Sequence, residues 1–224
     1  KQGLAEEWPE PVPQQVLGAE YSEAKAHIDK KRWPEAVVVL RKLYQEKPNS
    51  LPVVLDFTQA LAYLGRREEA LNILIRAVQS SQGKKRLFFM RRIQVLSETF
   101  LTNETFQKYQ NGIHFLTHSQ LREARGHFLK ALKDEPDNVE ILFRQAQALL
   151  LDGDFDSAVQ ELVSAEKLNP YRMEIKLWLG RALMWKNNTT VGLEKLKESF
   201  IELKGSDLAA TWYAEALLAV GQRK

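Results

Sequence analysis

Between Val139 and Arg172 apolar residues recur three or four apart in two runs, separated by Asp152-Gly153-Asp154 and closed by Asn169-Pro170. A helix turns once every 3.6 residues, so this spacing gathers the apolar side chains on one face of each run. The glycine and the proline end the helices they follow. The stretch predicts two amphipathic helices joined by a tight turn, 34 residues in all. Ala146 and Ala158 fall where the two helices approach closely, with Leu142, Leu149 and Leu162 packed around them.

The pattern returns along the chain. Leu17 to Ser50 carries Ala24 and Ala36, with Trp33 in the turn and Pro48 beyond the second helix, and Leu51 to Lys84 carries Thr58 and Ala70 with Gly65 in the turn. Thr105 to Asn138 carries Gly112 and Ala124, followed by Phe128, Ala131 and Pro136. Met173 to Ser206 carries Gly180 and Gly192 with Asn187-Asn188 in the turn, and the segment from Asp207 carries Ala214. Successive first small residues are 34, 54, 34, 34 and 34 residues apart. A constant step of paired helices marks a helical solenoid, in which each unit buries its apolar face only against its neighbours.

On these residues the sequence resembles the tetratricopeptide repeat family. That family places small residues at repeat positions 8 and 20, an aromatic near 17, a large apolar residue at 24, Ala at 27 and Pro at 32. Val139 to Arg172 supplies Ala146, Ala158, Phe155, Leu162, Ala165 and Pro170 at those places, and about 190 residues follow the register. The resemblance implies an all-α, right-handed superhelical solenoid of helix-turn-helix repeats, with about twelve helices.

The single 54-residue step contains 20 extra residues, Lys85 to Glu104. Leu87, Met90, Ile93, Val95, Leu96 and Phe100 fit one broad helical face, so the insertion reads as one additional helix. The expected organisation is an extended, proline-rich lead-in over residues 1–16, with Trp8 as a candidate anchor. Two repeats over 17–84, a junction helix over 85–104, and three repeats plus an unpaired helix over 105–224 follow it. Lys84, Lys85, Arg86, Arg91 and Arg92 surround Leu87-Phe88-Phe89-Met90, a candidate basic contact for an acidic partner or an anionic surface; the solvated basic side of a junction helix is the simpler reading and the one preferred.

Along a first helix, positions 4, 7, 8 and 11 form the stripe that packs inside the repeat, while positions 2, 6, 9 and 13 lie on nearly the opposite side. In the family that second stripe lines a concave groove. Arg144, Trp178 and Trp212 share position 6 of three successive repeats, and Trp185 sits seven residues after Trp178 on the same face. Phe143 and Leu177 extend the apolar surface, and Gln147, Arg181 and Glu215 add polar groups at position 9. An aromatic side chain buries roughly 150–250 Å², so open tryptophans on such a wall favour a binding surface. The expected partner is a protein, met as a helix or extended peptide with apolar anchors, with Arg144 and Arg181 facing its carboxylates. Tight curvature would instead pack the tryptophans on one another. The clamp that grips acidic chaperone tails would need Lys and Asn where Tyr109 and Ile113 stand, and Asn in place of Arg144.

Composition narrows the chemistry. The chain has 32 basic and 29 acidic residues, a formal charge of +3, which gives no whole-chain footprint for nucleic acid. It has no cysteine, which removes disulfides, thiolate metal sites and cysteine nucleophiles; such a chain suits cytosol and periplasm alike, and the cytoplasm is the expectation. No apolar run reaches the roughly 20 residues that span a bilayer. Phosphate-cradling glycine loops and nucleophile elbows are absent, so no enzyme activity and no cofactor are expected. His114 and His118 lie four apart, a spacing that can hold a metal, but they read as helix surface. Asp152, Asp154 and Asp156 read as helix capping, because the other positions of a calcium loop lack ligands. Asn103-Glu104-Thr105 and Asn188-Thr189-Thr190 match the glycosylation pattern, which matters only in a secretory compartment.

The last helix is too apolar for a terminal cap, so either a flanking segment or another surface should cover Ala210, Ala214, Leu217 and Leu218. The expected function is a non-catalytic interaction scaffold or adaptor. The alternatives are a regulatory or periplasmic module of a larger enzyme, secretion or polysaccharide-export assembly, and a peptide-sensing regulator.

Overall fold

The computed structural model describes residues 18–221. The lead-in over residues 1–16, with Trp8, lies outside them. The described residues form twelve α-helices and no strand. In chain order these are α1 (Ala19–Asp29), α2 (Trp33–Glu46), α3 (Leu51–Tyr63), α4 (Arg67–Gln79), α5 (Gly83–Glu98) and α6 (Asn103–Thr117). They continue as α7 (Leu121–Asp134), α8 (Val139–Leu151), α9 (Phe155–Leu168), α10 (Met173–Trp185), α11 (Thr189–Glu202) and α12 (Asp207–Gly221). The chain divides into two compact units, Lys1–Leu96 and Ser97–Lys224, with the division inside α5. Each unit is built from the paired helices of the expected solenoid.

The helix pairs close where the small residues fall. Ala24 and Ala36, Thr58 and Ala70, and Ala146 and Ala158 have no exposed surface. Glycine marks the tightest approaches. A methyl group built on Gly112 would sit 2.5 Å from the Phe128 ring, and one on Gly180 would lie 2.8 Å from Leu196 and 3.0 Å from the Gly192 carbonyl. The family's small positions therefore set how closely α6 meets α7 and α10 meets α11. In the second unit Phe128, Ala124, Ala131, Ile141 and Tyr109 form one buried cluster, and Leu177, Leu196, Ala209 and Ala216 form another.

Every repeat turns in the same way. Lys31 (φ 55°), Gly65 (71°), Ser119 (58°), Gly153 (83°) and Asn187 (60°) occupy the fifteenth position of their repeats, and all are left-handed. The Gly153 amide donates to the Leu150 carbonyl at 3.2 Å, and the next amide, of Asp154, donates to the Leu149 carbonyl at 2.9 Å. The same pair of bonds closes α1, α3, α6 and α10. This double closure satisfies carbonyls that a helix end leaves open, and it demands one left-handed residue. Second helices start from side-chain caps only in places. The Asp154 carboxylate accepts from the Ser157 amide at 3.2 Å, which is the capping role expected of that turn. Asp152 and Asp156 do something else: they pair with Arg125 and Lys186.

The inserted helix departs from its reading in bounds and in face. It ends at Glu98, because Thr102 caps α6 by accepting from the Thr105 amide at 3.1 Å, so Asn103 and Glu104 belong to the next helix. The buried residues are Phe89, Ile93 and Leu96, spaced four and three apart, while Leu87 and Val95 stand 59% and 56% exposed. Phe100 lies beyond the helix and packs on Phe106 and Tyr109, with ring centroids 5.2 and 4.9 Å away. On α12 the buried residues are Ala209 and Ala216, whereas Ala214, Leu217 and Leu218 are exposed and Ala210 is half-buried.

Candidate functional site

Helices α6, α8, α10 and α12 are the successive first helices of the second unit, and the 34-residue step aligns their equivalent residues. Trp178 and Trp212 meet edge to face, with centroids 5.0 Å apart and planes at 86°. Phe143 continues the row, 6.3 Å from Trp178 at 87°. Perpendicular packing sets the positive edge of one ring against the negative face of the next and adds about 0.5–1.5 kcal/mol per pair beyond burial. The tryptophans thus pack on one another and leave less open indole than three free rings would. Both are half-buried. Phe143 and Leu177 are 3% and 2% exposed, so they back this surface and do not line it. Trp185 does not extend the row; it lies 5.3 Å from Phe155 and is 41% exposed.

The arginines are already compensated, a correction to the expectation that they await carboxylates. Arg144 donates through Nε to Glu140 at 2.7 Å and through a guanidinium nitrogen to Gln147 at 3.0 Å. The first is an i, i+4 pair, legible in the sequence. Arg181 donates to Glu215 at 2.5 Å, one repeat away at the same position, and lies over both Trp185 and Trp212 at 4.8 and 5.4 Å. A guanidinium stacked on indole and paired with a carboxylate holds two helices and two aromatic side chains in one arrangement.

Four groups outside the expected set complete this face. The Glu140 carboxylate accepts from Tyr109 at 2.8 Å and pairs with Arg172 at 2.7 Å, in addition to Arg144. Arg172 also faces Glu98 at 3.3 Å and lies 4.6 Å over the Phe143 ring. Burial pushes the Glu140 carboxyl up, but Arg172, Arg144 and the Tyr109 hydroxyl together hold it below the usual carboxylate range. Glu98 has a weaker set of partners, and burial raises it despite Arg172. Burial and the neighbouring Glu140 charge push the Tyr109 hydroxyl up to about 12. Sequence periodicity could not find Arg172 or Glu98, since one lies at the end of its repeat and the other in the insertion.

The basic residues of α5 are placed differently. Lys85 donates to the Asn49 carbonyl at 2.8 Å, Arg86 to the Val78 carbonyl at 3.3 Å, and Arg92 to the Gln59 side chain. Lys84 and Arg91 are exposed. A ring nitrogen of His118 bonds the His114 carbonyl at 2.7 Å and His127 stacks on Phe115, so the three histidines serve local packing. Among the described residues no group of three or more His, Cys, Asp or Glu is placed to hold a metal ion, and no helix is long and apolar enough to cross a membrane.

Fold and face together define a helical-repeat protein with an aromatic, internally charge-balanced surface on its first helices. Two tetratricopeptide repeat models match residues 27–87 and 109–172, together more than half of the sequence. The chain belongs to the tetratricopeptide repeat family. No curated protein matches the sequence. Among solved structures it is similar to the TPR domain of Sgt2 from Aspergillus fumigatus, at 18% identity and a TM-score of 0.52, over 55% of this chain and 82% of that one. It is also similar to the TPR2B domain of yeast Sti1 in its pHsp70 complex, at 16% identity and a TM-score of 0.49, over 55% of this chain and 100% of that one. The likeness at these identities concerns the fold.

Proposed function

We propose that the chain is a non-catalytic protein-interaction scaffold whose second unit binds a partner helix or extended peptide on the face formed by α8, α10 and α12. The observation that carries this reading is the Trp178–Trp212 pair, continued by Phe143 and braced by Arg181. Aromatic groups held rigid before binding lose little entropy on contact and make effective anchors. Because Glu140, Arg144, Arg172, Arg181 and Glu215 already pair among themselves, the preferred partner is one with apolar anchors and no need for a compensating charge. Membership of a family of repeat scaffolds supports the reading.

The test is a panel of amphipathic-helical and extended apolar peptides titrated against the full chain and followed by tryptophan fluorescence. Binding should vanish in the Trp178→Ala, Trp212→Ala double variant while helical circular dichroism is kept. Retained affinity in that variant would place the site elsewhere.

A further inference from the structure

The α10–α11 pair is organised by residues at fixed repeat positions. A methyl group built on Gly180, at position 8, would meet Leu196 at 2.8 Å and the Gly192 carbonyl at 3.0 Å. One built on Gly192, at position 20, would meet the Gly180 carbonyl at 3.0 Å and Met184 at 3.1 Å. Each small residue therefore faces the small residue of the other helix and the large one four places further on. The scheme reads the same from either helix. A single helix with a small residue and a large one four places on can therefore take both parts.

Helix α12 is such a helix. Ala214 stands at position 8 and Leu218 four places on, and Gly221 follows at the spacing that Ala158, Leu162 and Ala165 keep along α9. Those α9 residues have no exposed surface. On α12 the same set is open: Ala214 and Gly221 are exposed, and Leu217 and Leu218 are 46% and 65% exposed. A methyl group built on Gly221 would meet nothing within 4 Å. Ala210, Ala214, Leu217, Leu218 and Gly221 fall within about 100° of one another around the helix axis.

Charge decides what can cover this face. Between Leu208 and Val220 the one charged residue is Glu215, and it is bound to Arg181 on the preceding first helix. At a two-fold axis a residue meets its own copy, so a charge there would repel itself. The α12 face carries none. An antiparallel pair centred on Ala214 sets that residue against Ala214 and Leu218 of the other copy, and Leu218 against Ala210 and Ala214. Large side chains thus meet small ones, as they do between α10 and α11.

We propose that α12 is a self-association surface, through which two copies of the chain pair antiparallel and two-fold symmetric, each α12 serving as the second helix of the other. Trp212 lies about 160° around the helix from Ala214, so each copy keeps its aromatic face.

Sedimentation equilibrium of the full chain, from about 5 to 500 μM to cover the weak affinity of a one-helix contact, should show monomer passing to dimer and no larger species. Ala214→Glu places a carboxylate on the axis and should weaken the dimer at least about tenfold, with circular dichroism unchanged. The chain has no cysteine, so Ala214→Cys gives a second reading. Oxidised glutathione should join two copies of it faster than two copies of Val191→Cys, a site exposed on α11. A chain that stays monomeric across the range would give the face to a different partner and overturn the proposal. So would a dimer that Ala214→Glu leaves intact, equal cross-linking of the two cysteine variants, or species that keep growing with concentration, the mark of a head-to-tail contact.

Discussion

Glu140 and Glu98 flank the same arginine, and their environments predict opposite consequences when each is neutralised. Glu140→Gln removes the charge that Tyr109, Arg144 and Arg172 converge on at 2.7–2.8 Å. Taking one partner from a fully buried pair costs about 3–5 kcal/mol. Here Gln147 still accepts from Arg144, Glu98 still faces Arg172, and the new amide oxygen can keep one bond. A loss of about 2–3 kcal/mol is expected. Glu98→Gln removes a carboxylate whose charged form is penalised by burial, so it should be neutral or slightly stabilising at pH 7.

The pH dependence follows the same signs. Glu140 is held below its unfolded value near ~4.3, so its contribution is complete above that pH and is lost as pH falls through the folded value. Glu98 is raised, so its penalty applies above its folded value and is relieved as pH falls toward the unfolded one. Urea unfolding followed by circular dichroism from pH 2.5 to 8 measures both. Equal losses for the two variants, or a Glu140→Gln variant as stable as the parent, would refute this account of the network.

Two further predictions concern the repeat geometry. Gly126→Ala places its methyl in open space on α7 and should stabilise by about 0.5–1 kcal/mol, whereas Gly180→Ala meets Leu196 at 2.8 Å. There overpacking of about 1–3 kcal/mol opposes the same helix gain, and thermal unfolding should order the variants Gly126→Ala, parent, Gly180→Ala. Ser119→Gly and Lys31→Gly relieve side chains held at φ 58° and 55°, and each should raise the melting temperature by a few degrees, as about 1 kcal/mol allows. Gly153→Ala, at φ 83°, should lower it by a similar amount.

The repeat register was readable because the features that set it are local and recur: small residues at the helix crossing and apolar residues at helical spacing. The turns were only half readable. Gly65 and Gly153 announce a left-handed residue, but Lys31, Ser119 and Asn187 occupy the same conformation through the closure of the helix end around them. The insertion was misread in face because its burial follows Phe89, Ile93 and Leu96, while Leu87 and Val95 match the apolar spacing without facing the core. Periodicity measures apolar content by angle, and a helix with apolar residues on several sides leaves the choice to its neighbours.

The candidate face was legible as positions and illegible as chemistry. A step of 34 residues puts Trp178 beside Trp212 and Arg181 beside Glu215, so the alignment follows from counting. Whether aligned groups stay available to a partner depends on distances that counting does not give. At 5.0 Å the indoles satisfy each other edge to face, and at 2.5 Å Arg181 is spent on Glu215. Repetition in a solenoid therefore has two effects at once: it lines equivalent side chains up, and it supplies each with a neighbour one repeat away. A surface that still offers contacts is then found where equivalent residues stay open, and α12, with Ala214, Leu217 and Leu218 exposed, is such a place.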